Sequence, residues 1–227
     1  MTAVLDALRL IVSGDAEVWQ ITGVSLLVSG TALLIASVIG VPLGYWLAHL
    51  HGRAARLVSS LLHTLTALPT VVVGLLLFFL LSASGPLGWM DLLYTRLAMI
   101  AGQALLALPI VAALTLVAIE RLPLPAFETA ASLALPAWTR LRLLVGEAWP
   151  AIQSALLLAF ARVFTELGAA IILGGNIRGE TRTLTTVIAL EHAKGDDARA
   201  IALGLILLVI ALAVNAGVHS RFGRRRA

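Results

Sequence analysis

Residues 21–47, ITGVSLLVSGTALLIASVIGVPLGYWL, contain no charged side chain. A helix rises about 1.5 Å per residue, and about 20 apolar residues cross a hydrocarbon core about 30 Å thick. This run is therefore long enough to span a bilayer with tilt. Four further apolar stretches follow, and spans are predicted at about 21–48, 57–82, 97–119, 151–173 and 200–218. The composition agrees: 60% of the 227 residues are hydrophobic and 12% charged, whereas a soluble domain carries about twice that share of charge. The expected fold class is all-α integral membrane, with about five transmembrane helices in a single domain, 1–227. Gly40 and Gly44 form a G-x-x-x-G pair that lets a second helix approach closely, with Pro42 between them as an expected kink. His63 and Pro69 interrupt the second stretch, and Pro109 lies in the third.

The first 20 residues include Asp6, Asp15 and Glu17 and do not read as a cleaved signal. Leu5, Leu8, Ile11 and Val12 have helical spacing, which predicts a short interfacial helix. There are no cysteines, so disulfides and thiolate metal sites are excluded. Arg53, Arg56, Arg121, Arg140 and Arg142, with four arginines in the tail, fall on one face of a five-span topology. Arg9, Arg96, Arg178, Arg182, Lys194 and Arg199 fall on the other. The richer face is expected to be cytoplasmic, with the N-terminus outside and the C-terminus inside. The tail arginines have no interleaved aromatic residues, so no nucleic-acid partner is expected. His49 and His51 sit in a basic turn and read as solvated, and His63 as a neutral packing residue. Glu191 and His192 are adjacent and lack metal-ligand spacing, so no metal site is expected.

Two features resist a purely structural account. Arg162 and Glu166 lie four apart inside the fourth span, where each charge costs roughly 2.5–3.5 kcal/mol on insertion scales. They read either as an ion pair that fixes packing or as part of a pathway. The segment GGNIRGETRTLTTVIALE, within the predicted outer stretch 174–199, gathers Asn176, Arg178, Arg182, Thr183 and Thr185 between two apolar runs. Arginine forks and hydroxyls suit tetrahedral oxyanions. The segment reads either as a solvated loop or as a re-entrant one lining a gate.

The loop 120–149 contains ETAASLA, which resembles the coupling motif of ABC importer permeases, Glu-Ala-Ala, three residues, then Gly. Glu128, Thr129 and Ala130 match the opening triplet, with Thr for the first Ala, and Ala134 stands where the family usually has Gly. FARVFTELGAAIILGGNIRGETRTLTTVIALE is similar to the end of the permeases of oxyanion importers, the molybdate, sulfate and tungstate group. GGNIRGETRTLTT is most like the tungstate type. The resemblance covers nearly the whole chain. It implies an ABC importer permease fold with a cytoplasmic coupling helix, in a homodimer that forms the pathway. Cytoplasmic ABC ATPase subunits would dock on the coupling loop, and an extracytoplasmic oxyanion-binding protein would deliver the anion. No cofactor is implied. The chain carries no G-x-x-x-x-G-K-[ST] loop, so ATP hydrolysis is expected from the partner.

Arg162, Glu166, Asn176, Arg178, Arg182, Thr183 and Thr185 are the pathway or gate candidates. Glu128, Thr129, Ala130 and Ala134 are the ATPase-coupling candidates. A secondary transporter would need charges in several spans and internal symmetry, and neither is seen. An intramembrane enzyme would need a catalytic motif, and none is present.

Overall fold

In a computed structural model of the chain, which describes residues 15–50, 52–133 and 135–223, the charge-free run folds as one helix. Helix α1 covers Ala16–Ala48. Asp15 caps it, accepting from the backbone N–H groups of Glu17 at 2.8 Å and Val18 at 3.2 Å. Its hydroxyls return to the helix: Thr22 donates to the Val18 carbonyl and Ser25 to that of Ile21. Such back-bonding lets a polar side chain sit in an apolar span.

Helix α1 packs along the third predicted span, α4, Arg96–Glu120. The small-residue pair sits at this seam. A Cβ on Gly44 would lie 2.5 Å from the Ala112 carbonyl oxygen, and one on Gly40 would lie 3.0 Å from Val111. Only glycine lets the two backbones come this close.

The second predicted span is not one straight helix. It divides into α2, Gly52–Thr66, and α3, Thr70–Leu81, with a bend of 91° between them. Pro69 causes the break: it disfavours the helical conformation at Leu68 and lacks an N–H of its own. Its carbonyl instead accepts from Val72 and Val73 and starts α3. His63 is exposed on α2 and hydrogen-bonded to the Ser59 carbonyl at 2.8 Å, rather than packed. His49 is not simply solvated either, since its Nδ1 meets the Tyr45 carbonyl at 2.8 Å.

The loop 120–149 is largely helical. Helix α5 covers Leu124–Ser132, and α6 begins at Ala137, just after Pro136, and runs to Phe164. The predicted span 151–173 therefore ends early. Its remainder is a separate short helix, α7, Gly168–Gly174, after a break at Thr165–Leu167. Helix α8, Leu184–Lys194, lies within the predicted outer stretch, and α9, Asp197–Gly223, is the last span. Among the described residues, four helices are long and apolar enough to cross a membrane, or five if α2 and α3 count as one span. The predicted interfacial helix at Leu5–Val12 and the tail residues Arg224, Arg225 and Arg226 lie outside the described residues, as do His51 and Ala134.

Two buried clusters tie the ends together. At one end, Tyr45, Ile119, Ala130, Leu144 and Ala148 join α1, α4, α5 and α6. At the other, Val18, Ile21, Phe164, Leu184, Val187 and Leu203 join α1, α6, α8 and α9. Large apolar side chains such as Leu34, Val38, Phe79 and Val209 are exposed along the sides, as bilayer or subunit contact requires.

Candidate functional site

The break between α6 and α7 is organised by Glu166. Its side chain is 4% exposed, and Oε2 accepts from Arg162 Nη1 at 3.0 Å. Oε1 accepts the backbone N–H of Ala169 at 3.1 Å, in the first turn of α7. A short helix leaves its first N–H groups unpaired, and a carboxylate there satisfies one and favours the positive end of the helix. The main-chain carbonyl of Glu166 accepts from Thr185 Oγ1 at 2.9 Å. Arg162 is 48% exposed. The i,i+4 pair expected from the sequence thus forms, but Glu166 lies beyond the end of α6 and joins three elements.

Helix α7 ends at Gly175, in the left-handed region with φ +65°, and Asn176 follows with φ +54°. Asparagine tolerates this region better than other side chains. Its amide is anchored by Thr186, whose Oγ1 donates to Asn176 Oδ1 at 3.1 Å. Thr186 Oγ1 also accepts the Thr183 N–H at 3.0 Å, and the Thr183 and Thr185 hydroxyls lie 3.2 Å apart. Thr181 donates to the Gly174 carbonyl and accepts from the Ile177 N–H. Thr181, Thr183, Thr185 and Thr186 are all buried. The hydroxyls that the sequence offers for an anion are thus engaged within the protein, with the segment itself and with the Glu166 carbonyl. Leu184 N–H donates to Ser25 Oγ at 2.8 Å, more than two turns along α1. The segment is divided: Thr181 and residues 183–187 are buried against the bundle, whereas Gly175, Ile177, Arg178 and Glu180 are exposed.

Arg178 and Arg182 meet a carboxylate that the sequence did not single out. Glu17, in the first turn of α1, accepts from Arg178 at 2.7 Å, Arg182 at 3.0 Å and Arg199 at 2.6 Å. Arg182 also donates to the Asn176 carbonyl at 3.3 Å. Arg96, at the start of α4, donates to the Gly179 and Glu180 carbonyls at 3.0 and 2.7 Å. Glu17, Arg96 and Arg199 are the residues missed from sequence as parts of this cluster. One signal pointed to Glu17: the arginines of the outer stretch needed carboxylates at the same end, and Glu17, at the start of the first span, lies there with Asp15.

The coupling candidates lie at the opposite end. Glu128 and Thr129 are exposed on α5, and Thr129 donates to the Pro125 carbonyl at 2.7 Å. Ala130 is buried beneath them, against the cluster that holds Leu144. Leu124, Leu133 and Trp138, which flank the helix, are 60–70% exposed.

Long apolar helices, an arginine-bearing segment folded against α1 at one end and a short exposed helix at the other are the frame of a membrane transport subunit. The chain belongs to the family of binding-protein-dependent transport system inner membrane components, whose pattern matches residues 40–221. It is 39% identical to the tungstate uptake system permease protein TupB of Peptoclostridium acidaminophilum over 94% of both chains. It is also 39% identical to the protein of that name from Campylobacter jejuni, over 94% of this chain and 90% of that one. The sulfate transport system permease protein CysT of Escherichia coli is 28% identical, over 89% of this chain and 76% of its own length. The fold is that of ABC importer permeases. A chain of the MetNI methionine ABC transporter in an inward-facing conformation superposes with a TM-score of 0.71 at 16% identity, covering 93% of this chain and 95% of that one.

Proposed function

We propose that this chain is the transmembrane permease subunit of an ATP-driven importer for a tetrahedral oxyanion, most specifically tungstate, and that it forms the pathway as a homodimer. The observation that carries this reading is the 39% identity with tungstate permeases across 94% of both chains. The molybdate and sulfate permeases, at 28–29% identity, supply the second reading, in which the same pathway takes one of those anions.

In this reading the end that carries α5 faces the cytoplasm, with the N-terminus outside. Helix α5 receives the ATPase: Glu128 and Thr129 are exposed, Ala130 anchors the helix, and Ala134 completes the motif. Exposed Leu124, Leu133 and Trp138 supply apolar area for docking, where buried aromatic and aliphatic anchors carry most binding energy. The Glu17 end faces the binding protein. Arg162 presents its half-exposed guanidinium to the pathway, and Glu166 balances it at rest. Asn176, Thr183 and Thr185 shape the segment that carries Arg178 and Arg182.

The test is uptake by proteoliposomes containing this chain, its ATPase and its binding protein. ATP-dependent accumulation of tungstate is expected. Accumulation of sulfate with no tungstate would overturn the substrate assignment, and uptake of neither without ATP would exclude a secondary transporter.

A further inference from the structure

Glu17 carries more cation than one carboxylate needs. Its Oε2 accepts from Arg178 and Arg199, and its Oε1 from Arg182, so three formal positive charges face one negative. Among the described contacts the nearby carboxylates are bonded elsewhere: Asp15 to the amides of the first turn of α1, Glu180 to Arg96, Glu191 to Lys194 at 3.0 Å, Asp196 to the Arg199 N–H and Asp197 to His192. Asp15 and Glu191 still act on Arg199 through space, so the surplus is one of direct contacts. A crevice of about 10 Å³ lies beside the cluster, lined by Glu17, Gln20, Gly179 and Arg182 among others. That is room for one water molecule and not for a tetrahedral oxyanion while Glu17 stays in place. The arginines are only partly covered, with side-chain exposures of 18% for Arg182, 26% for Arg199 and 73% for Arg178.

We propose that Arg178, Arg182 and Arg199 form a receiving subsite for a tetrahedral dianion, in which the Glu17 carboxylate is a resident and displaceable occupant. The proposal rests on the oxyanion reading given above. The two oxygens of Glu17 stand where two oxygens of the anion would lie. A tetrahedral dianion presents four acceptors in place of two and doubles the negative charge. It would also stay near the positive end of α1, where anions are favoured. Glu17 has three side-chain torsions, and a change between staggered rotamers moves its carboxylate without moving the backbone. Exchange has a mechanical consequence. Glu17 belongs to α1, Arg178 and Arg182 to the segment between α7 and α8, and Arg199 to α9. An anion that takes over the arginines removes one tie of that segment and of α9 to α1, leaving the Leu184–Ser25 bond and the apolar cluster to hold them.

The test is titration of the full-length chain in nanodiscs with sodium tungstate or sodium sulfate, against sodium chloride at matched ionic strength, read by calorimetry. Glu17→Gln removes the competing carboxylate and is expected to tighten binding about tenfold. Arg182→Gln or Arg199→Gln on that background is expected to weaken it by about tenfold or more. Arg53→Gln, an equal charge change at the opposite end, is expected to leave it unchanged. A folded Glu17→Gln chain that binds no tighter than wild type overturns the proposal, as does loss at the triad no larger than that of Arg53→Gln. Should Glu17→Gln not fold, Arg178→Gln in the wild-type chain decides: several-fold weaker binding supports the subsite, and unchanged binding overturns it. Binding to the triad by a chain whose assembled importer moves no oxyanion would count against the transport reading alone.

Discussion

Glu166 and Glu17 are both carboxylates held by arginine near the same end of the bundle, yet they are built differently. Glu166 is almost fully buried, and its ligands match its capacity: one arginine on one oxygen and one backbone amide on the other. Glu17 is 16% exposed and faces three arginines with no backbone donor to its side chain among the described contacts. The first arrangement is balanced, and it splices a broken span. The second leaves cation in surplus, and it ties together segments that are distant in sequence. The two halves are not equivalent: Arg162 keeps water if Glu166 is removed, whereas loss of Arg162 leaves a buried carboxylate with one backbone amide. An oversupplied, partly solvated cluster loses little when one donor goes.

The largest effect is expected at Glu166. Glu166→Ala removes the carboxylate that pairs Arg162 and satisfies Ala169 N–H, and breaking such a buried pair costs about 3–5 kcal/mol. Thermal unfolding in nanodiscs should fall steeply, and Glu166→Gln, which keeps an acceptor for the amide, should recover part of the loss. Equal melting of Glu166→Ala and wild type would refute the splice. Thr186→Val is expected to cost about 1–3 kcal/mol, because it strands the Thr183 N–H and the Asn176 amide inside the protein. Amide exchange at residues 174–186 should quicken while α4 stays protected, a pattern that global destabilisation would not give.

Arg162→Ala separates structure from transport. The guanidinium is half exposed but its partner is buried, so the stability loss is expected at about 1–3 kcal/mol, between a surface and a buried pair. ATP-driven uptake by correctly assembled complex should fall by more than assembly does. Normal uptake would make the Arg162–Glu166 pair structural only.

The contrast also marks what the sequence could reveal. Apolar runs and glycine spacing are local, and they led to the long helices α1, α4 and α9, the Gly40–Gly44 seam and the interruption at Pro69. The Arg162–Glu166 pair was legible because four residues make one helical face. The break after Phe164 was not, since no proline or glycine falls at Thr165–Leu167. It is stabilised by Thr185, 19 positions away, and by a carboxylate bond that forms only once the helix has stopped. Nor was Glu17 legible, with partners 161, 165 and 182 positions distant. The arginines of the 174–186 run could be matched to oxyanion chemistry by residue type. Their resident partner could not, because no periodicity links the first turn of α1 to them.

The smallest effect sharpens the comparison most. Arg178 is 73% exposed, and its bond to Glu17 is one of three. Arg178→Ala is expected to cost below about 1 kcal/mol, within the range of a surface pair. On a Glu17→Ala background it should cost nothing further, because the partner is already gone. A double-mutant cycle isolates that coupling. The corresponding cycle at Arg162 and Glu166 should give a coupling energy several times larger. If the two cycles agree, burial and donor number do not distinguish the sites, and the surplus of cation at Glu17 has no energetic meaning.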